Sequence, residues 1–164
     1  MTVSTTTNQS GPFTCNGTVK AFDYNFQIVA TTDIVATLTN SSTGANSIVN
    51  PNLYVTTIVG TGGTVTFGTA PSSGQTLTIG RSTAQTQLIN LENLGSLQPT
   101  ILEGGYDKLT MMVQDSGATS DRAIVVPATD AASLSKTLPV ASLRANKLFG
   151  FNAAGEPEAT TGRV

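Results

Sequence analysis

The stretch LYVTTIVGTGGTVTFGTA, residues 53–70, carries two short runs rich in Val, Ile and Thr on either side of Thr61, Gly62 and Gly63. Branched side chains suit a pleated, half-buried strand better than a helix. Glycines between two such runs indicate a tight turn. The sequence therefore predicts a β-hairpin over this stretch.

A further pair of strands is predicted before the hairpin. Phe22, Tyr24, Phe26 and Ile28 alternate with polar residues, which is the period-two pattern of a strand with one buried face. The segment DIVATLTN, residues 33–40, continues as a second strand. The turn-rich sequence that follows separates this pair from the hairpin.

The strand pattern continues after the hairpin. The segment QTLTIGR, residues 75–81, places Leu77 and Ile79 on one face, and QTQLINL, residues 85–91, is a weaker strand candidate. Several short strands separated by turn signals predict a mainly β fold. We expect an antiparallel β-sandwich, or a small barrel, over residues 11–95.

The periodicity changes in ILEGGYDKLTMMVQD, residues 101–115. Here four apolar residues follow one another at steps of four, three and four, which is a narrow helical seam of period 3.5. We predict one short helix over residues 96–116, with Ser96 as a cap candidate and Pro99 near the first turn. The seam consists of Leu102, Tyr106, Leu109 and Val113.

The partner of this seam remains open at this point. Gly104 and Gly105 each destabilise a helix by ~1 kcal/mol relative to Ala, and a helix of this length is marginal alone. The seam therefore either covers a sheet within one monomer or meets the same helix in other copies, and Met111 and Met112 widen the apolar surface. The candidate oligomer interface comprises Leu102, Tyr106, Leu109, Met112 and Val113.

The two ends of the chain differ from its centre. Residues 1–10 are polar and are expected to form a flexible arm. Residues 117–164 are rich in Ala, Ser and Pro, and we interpret them as an extended linker with a small hairpin around Asn152 to Gly155. Since no closing element follows, we expect a larger C-terminal shaft beyond this chain.

Composition limits the classes of partner. Of the 164 residues 11% are charged, with a net charge of −2, against a usual charged share of roughly 25%. There is no basic stripe of the kind that neutralises phosphates. No apolar run approaches the ~20 residues that cross a bilayer, and no signal peptide is recognisable. We expect neither a nucleic-acid nor a membrane partner.

The sequence offers few residues for a catalytic site or a metal site. The chain has no histidine and a single cysteine, Cys15, which excludes Ser-His-Asp and Cys-His catalysis and the usual zinc sites. We expect no catalytic residues, no metal and no cofactor, and we interpret Cys15 as a small core residue. Asp107 beside Lys108 is expected to form a solvated helix face.

Three stretches occur in an order that resembles a known family. They are CNGTVKAFDYNFQIVATTDIVATLTN, LYVTTIVGTGGTVTFGTAPSSGQTLTIGR and TQLINLENLGSLQPTILEGGYDKLTMMVQ, and RANKLFGFNAAGEP follows them. Together, over roughly residues 15 to 155, they resemble the N-terminal region of tail fibres and tailspikes of short-tailed bacteriophages.

The resemblance implies a structural virion-attachment domain in the phage tail. Members of this family are homotrimers whose β-rich N-terminal domain docks on tail adaptor or nozzle proteins. Host surface glycans or receptors are then contacted only through a C-terminal part that is missing here. The resemblance favours a trimerisation role for residues 96–116, and we expect binding rather than catalysis.

Two alternatives are kept. A carbohydrate-binding adhesin module usually rests on aromatic platforms, but the chain has no tryptophan, and its Tyr and Phe lie mostly in predicted strand-core positions. A glycoside hydrolase needs two carboxylates held about 5 to 10 Å apart in a cleft, and the N-terminal β region offers few. Assays for glycan binding and for polysaccharide cleavage separate these possibilities from an attachment module.

Overall fold

A computed structural model describes residues 3–87, 89 and 98–161 of the chain. Residues up to Arg122 form one compact unit, and those from Ala123 onward form a second. The helices are α1 (Pro99–Ser120) and α2 (Ala141–Arg144). The strands are β1 (Gln9–Thr14), β2 (Ala21–Tyr24), β3 (Ile34–Asn40), β4 (Asn46–Ile48), β5 (Tyr54–Val59), β6 (Gly62–Phe67), β7 (Gln75–Arg81), β8 (Leu148–Phe151) and β9 (Pro157–Thr160).

The first unit is built on two antiparallel sheets. A four-stranded sheet has the order β1-β7-β3-β4, and a three-stranded sheet has the order β2-β6-β5. Apolar side chains from both sheets form one buried cluster, as expected when two sheets pack face to face. The prediction of a mainly β, sandwich-like fold followed by one helix is confirmed.

Alternation in the sequence identified the buried faces correctly. Phe22, Tyr24, Phe26 and Ile28 are all buried, although the strand itself ends at Tyr24. The last two side chains therefore enter the core from a loop, where the alternation is lost because Gln27 between them is also buried. In β7 the predicted pair, Leu77 and Ile79, is fully buried.

The hairpin of residues 53–70 exists, but its turn lies one residue earlier than predicted. Gly60 and Thr61 form the turn, while Gly62 and Gly63 belong to β6. A side chain at Gly63 would collide with the ring of Tyr24, whose hydroxyl donates a hydrogen bond of 2.8 Å to the Thr57 carbonyl. The glycine is thus required by close packing across the sheet rather than by the turn.

Strand β1 was not predicted, because its sequence QSGPFT resembles a turn. It pairs with β7 through Ser10 opposite Ile79 and Phe13 opposite Leu77, with a register shift between the two pairs. Residues 3–8, at the start of the expected flexible arm, have no regular secondary structure. The weaker strand predicted at 85–91 is not formed at residues 85–87 and 89, and its other residues lie outside the described part of the chain.

Helix α1 starts at Pro99, as expected for a proline in the first turn, and it runs for 22 residues. The cap candidate Ser96 lies outside the described residues. The helix continues past the predicted end at residue 116 to Ser120, and the hydroxyls of Thr119 and Ser120 donate to the carbonyls four residues earlier. Both side chains therefore bond within the helix instead of capping an earlier end.

The second unit contains the predicted small hairpin, formed by β8 and β9. Its loop is organised by Asn152, whose side-chain Oδ1 accepts hydrogen bonds of 2.9 Å from the amides of Ala154 and Glu156. The carboxylate of Glu156 in turn accepts a hydrogen bond of 2.9 Å from the backbone amide of Ser135. One carboxylate therefore connects the hairpin to the preceding segment.

Candidate functional site

The side of α1 that faces its own sandwich is held mainly by polar contacts. Arg81, at the end of β7, is buried, and its Nε donates to Asp115 Oδ1 at 2.9 Å. The other carboxylate oxygen, Oδ2, accepts a hydrogen bond of 2.9 Å from the backbone amide of Thr83. Since Asp115 is itself largely buried, this is a charge pair shielded from solvent, and it joins the helix to the four-stranded sheet.

Both terminal nitrogens of Arg81 donate as well. Nη1 donates to the carbonyl of Gln27 at 2.9 Å, and Nη2 donates to Gln114 Oε1 at 2.8 Å. A buried guanidinium is tolerated only when its N–H groups are paired. The sandwich and the helix therefore share one hydrogen-bonded centre at Arg81.

The N-terminal segment adds to this polar contact. The amide of Val3 donates to Asp107 Oδ1 at 3.1 Å, and Gln114 Nε2 donates to the Thr5 carbonyl at 2.9 Å. Lys108 Nζ donates to the Thr86 carbonyl. Asp107 and Lys108, which were expected to form a solvated helix face, are half-buried, and each of them binds a segment that lies against the helix.

We call this side of α1 the inner face; it comprises Asp107, Lys108, Met111, Gln114 and Asp115. Within it, Met111 is the apolar residue, and its exposed fraction is only 1%. The sequence grouped Met111 with Met112 as a widening of the seam. Instead Met111 lies inside, whereas Met112 is half-buried at the border of the inner face.

The predicted seam points the opposite way. Tyr106, Leu109 and Val113 have exposed fractions of 68%, 55% and 64%, and we call these three residues the outer face. Leu102 is half-buried beside them. A helix at the surface of a monomeric domain normally turns its apolar stripe to the core and its polar side to water. In α1 this arrangement is reversed.

An apolar groove borders the outer face. Four of the five predicted interface residues line it, together with Ile89 and Gly105. A Cβ atom built at Gly105 would lie 2.5 Å from Ile89 Cδ1, whereas one at Gly104 would have no heavy atom within 4 Å. Gly105 thus lets Ile89 approach the helix closely. The four interface residues are Leu102, Tyr106, Leu109 and Met112.

A second unusual surface lies at the edge of the three-stranded sheet. No Asp, Glu, Lys or Arg occurs between Asp33 and Arg81, so strands β3 to β6 carry no charge. Edge strands are normally protected by charges, proline, bulges or short length. β1 has Pro12 and a register shift, β2 contains Asp23, and β4 has three residues. β5 has six residues and none of these features.

The side chains of β5 reinforce this contrast. Val55 and Val59, which lie on the sheet surface away from the core, are mostly exposed, and Ile58 is partly exposed. We call β5 the free edge, because among the strands of the described residues β6 alone pairs with it in the sheet order. This edge was not predicted, although the long uncharged stretch is visible in the sequence.

The structure gives no sign of thiol, metal or membrane-spanning chemistry in the described residues. Cys15 is a buried core residue, and burial raises the pKa of its thiol, which disfavours the reactive thiolate. Among the described residues, no three His, Cys, Asp or Glu side chains are grouped as metal ligands. In that same part of the chain, every helix is too short or too polar to cross a membrane.

Comparison with known proteins gives one informative similarity. No family model matches the sequence. Over 116 residues the chain is 30% identical to a tail spike protein of Salmonella phage epsilon15; the aligned part is 70% of this chain and 11% of that protein. The chain thus spans only a small fraction of its relative's length. It is related to one region of a phage tail spike protein.

Proposed function

We propose that this chain is the N-terminal attachment module of a phage tail spike or tail fibre. Copies gather through α1 as a homotrimer, and their sandwiches dock on adaptor or nozzle proteins of the tail. The similarity to a tail spike protein supports a location in the tail of the virion. The observation that carries the proposal is the orientation of α1, with its polar face inward and its apolar seam outward.

The energetics of α1 favour a partner on the outer face. Burying a side chain the size of Leu or Val contributes about 1.5–3 kcal/mol, and three large apolar residues of the outer face remain in water. Their period of 3.5 residues is the repeat by which helices pack into coiled coils. Copies of α1 meeting along this seam would bury it. The number of three copies rests on the resemblance to trimeric fibres.

The inner face gives such an assembly a fixed geometry. Arg81 and Asp115 connect β7 to α1 through charge-assisted hydrogen bonds, which are shorter and stronger than neutral ones. A helix bundle formed by the outer faces would therefore hold each sandwich in a defined orientation. A defined orientation is required if the sandwiches of several copies are to bind one surface of the tail at the same time.

The free edge is the surface that we assign to the tail. A strand of a tail protein can add to β5 through main-chain hydrogen bonds, and neither charge nor proline opposes it. The exposed side chains of Val55 and Val59 provide apolar contact beside the added strand. Backbone and apolar contacts, rather than ion pairs, then carry the interaction, which fits the absence of charged side chains from β5.

Binding to spike-less particles tests the anchoring role. The purified chain is mixed with virions assembled without their tail spike, and bound chain is counted after sedimentation and located by electron microscopy. We expect saturable binding at the tail, and we expect Val55→Lys together with Val59→Lys to abolish it. Val19→Lys, at an exposed valine outside the strands, is the matched control. Equal binding by all variants would refute the assignment of the free edge.

Glycan-binding and cleavage assays on the same chain distinguish an attachment module from a glycan-binding one. Exposed aromatic side chains, on which sugars usually stack, are limited among the described residues to Tyr106, in the proposed helix interface, and to Phe149 and Phe151 of β8. We therefore expect no binding on an array of bacterial glycans and no cleavage of polysaccharides. Specific binding to glycans, with no binding to particles, would favour the adhesin alternative instead.

A further inference from the structure

The loop between β1 and β2, residues 15–20, contains the pair Asn16-Gly17, the one place in the sequence where glycine follows asparagine. Both residues are exposed. Because glycine has no Cβ, the backbone nitrogen after the asparagine is open to approach by the asparagine side chain. An Asn-Gly pair is therefore the asparagine context that loses its side-chain amide most readily.

The reaction is an intramolecular substitution followed by hydrolysis. The backbone nitrogen of Gly17 gives its proton to hydroxide and attacks Cγ of Asn16. A bond forms between that nitrogen and Cγ, the bond from Cγ to Nδ2 breaks, and Nδ2 takes up a proton from water and leaves as ammonia. Water then opens the five-membered succinimide at either carbonyl, which gives aspartate or isoaspartate. Each product carries one additional negative charge.

In the folded chain the reacting atoms are held by hydrogen bonds. Asn16 Oδ1 accepts bonds of 2.9 Å and 2.8 Å from the amides of Thr18 and Val19. The amide of Gly17, whose φ is 78°, donates at 3.0 Å to the carbonyl of Pro71. The first two bonds draw electrons from Cγ and favour attack, whereas the third opposes it. The third decides, because the nitrogen neither loses its proton nor turns toward Cγ while it donates to Pro71.

The loop is anchored to the turn that precedes β7. The amide of Cys15 donates to the carbonyl of Gln75 at 3.0 Å, beside the bond from Gly17 to Pro71. Pro71 itself is buried. Release of the Gly17 amide therefore requires the loop and the turn to separate, which is a local opening of the kind that governs amide exchange in folded proteins.

We propose that Asn16 is a site of spontaneous deamidation, and that local opening between the β1–β2 loop and the turn before β7 sets its rate. The closed loop is unreactive, and each opening gives the Asn-Gly pair the reactivity of an unfolded peptide. The inference does not depend on the proposed function, because it uses contacts within one protomer.

The two products have different consequences for the loop. Aspartate at position 16 keeps a side-chain oxygen for the amides of Thr18 and Val19. Isoaspartate instead inserts a methylene group into the main chain between Cys15 and Gly17, so the two hydrogen bonds that anchor the loop lose their spacing. We expect the isoaspartate form, separated by ion exchange, to unfold at a lower denaturant concentration than an Asn16→Asp variant.

Peptide mapping of the full chain by mass spectrometry tests the proposal. The chain is incubated in mildly alkaline buffer, folded or in denaturing guanidinium chloride, and exchange of the Gly17 amide is measured on the folded sample. We expect Asn16 to react at least about tenfold more slowly in the folded chain, and by the same factor by which the Gly17 amide is protected, since both processes need the same opening. Asn16→Gln, which would have to form a six-membered ring, is the control and should show no conversion at this position.

A Pro71→Gly variant separates loop opening from the chemistry of the pair itself. It loosens the turn and leaves the Asn-Gly sequence unchanged, so it should accelerate conversion of Asn16 and exchange of the Gly17 amide by equal factors. Equal conversion rates in the folded and unfolded chain would overturn the proposal. Slow conversion in a folded chain whose Gly17 amide is unprotected, or faster exchange in Pro71→Gly without faster conversion, would overturn it too.

Discussion

The two faces of α1 are held by opposite kinds of chemistry. The inner face binds its own sandwich through a shielded ion pair and several hydrogen bonds around Met111. The outer face presents Tyr106, Leu109 and Val113 to solvent. Polar contacts are directional and fix geometry, whereas apolar burial tolerates small shifts. The difference teaches that directional bonds orient the helix, whereas its apolar seam stays exposed and can serve the association that we propose.

The largest effect on folding is expected from breaking the ion pair. Asp115→Ala leaves the guanidinium of Arg81 buried without its carboxylate, and such a loss costs about 3–5 kcal/mol. Urea unfolding should show this decrease at every protein concentration. Asp121→Ala, at the end of the same helix, is the control and should stay within about 0.5 kcal/mol of the unmodified chain.

A double variant sharpens this result. Replacing Arg81 by Met together with Asp115→Ala removes both charges, and removal of a whole buried pair is often close to neutral. We therefore expect the double variant to be more stable than Asp115→Ala alone. If the two are equally unstable, the loss comes from packing and not from an unpaired charge.

The next largest effect on stability is expected at Met111 of the inner face, in contrast to Val113 of the outer face. Met111→Ala should lower the free energy of unfolding by about 2–4 kcal/mol, because it leaves a cavity in the inner face. Val113→Ala should change the stability of the monomer by less than about 0.5 kcal/mol and weaken the assembly instead. Unfolding at two protein concentrations measures both. If Val113→Ala lowers the free energy of unfolding equally at low and high protein concentration, Val113 stabilises the monomer and not an assembly.

A smaller effect is expected at the paired glycines. Gly104→Ala has open space around it and should stabilise the helix by up to about 1 kcal/mol. Gly105→Ala should gain less or lose stability, because its Cβ meets the side chain of Ile89. Thermal unfolding of the two variants side by side measures the difference. Equal gains would show that Ile89 does not constrain this turn of the helix.

The smallest effect concerns pH and the second unit. Hydrogen bonds from the Ser135 amide and the Asn152 side chain lower the pKa of Glu156 below its ordinary value of 4.5. A lowered pKa in the folded state gives a contribution that is present above about pH 4.5 and lost as the pH falls through the folded-state pKa. Exchange of the Ser135 amide should therefore become less protected on acidification, relative to the intrinsic rate. Glu156→Gln should remove this dependence.

Periodicity alone was enough to predict much of the fold. The alternation from Phe22 to Ile28 and the pair in β7 were assigned to the core correctly, because strand burial follows a local period of two. β1 was missed, since Ser10 and Pro12 look like turn residues until β7 supplies a partner. The helix end was missed for a similar reason, because the hydroxyls of Thr119 and Ser120 support either a cap or a helical turn.

The candidate site was only partly accessible from the sequence. The seam residues were found by their spacing, but spacing cannot say which face turns inward. That orientation depends on Arg81, which lies 34 residues before its partner Asp115. The free edge depends on strand order, which a local pattern does not contain.

The oligomeric state of the unmodified chain, beside that of Leu109→Asp, tests the central claim most directly. At micromolar concentration, sedimentation velocity should give a trimer for the first and a monomer for the second, with the far-ultraviolet circular dichroism of the β-domain retained in both. An unmodified chain that sediments as a monomer, or a Leu109→Asp variant that remains a trimer, would contradict the account.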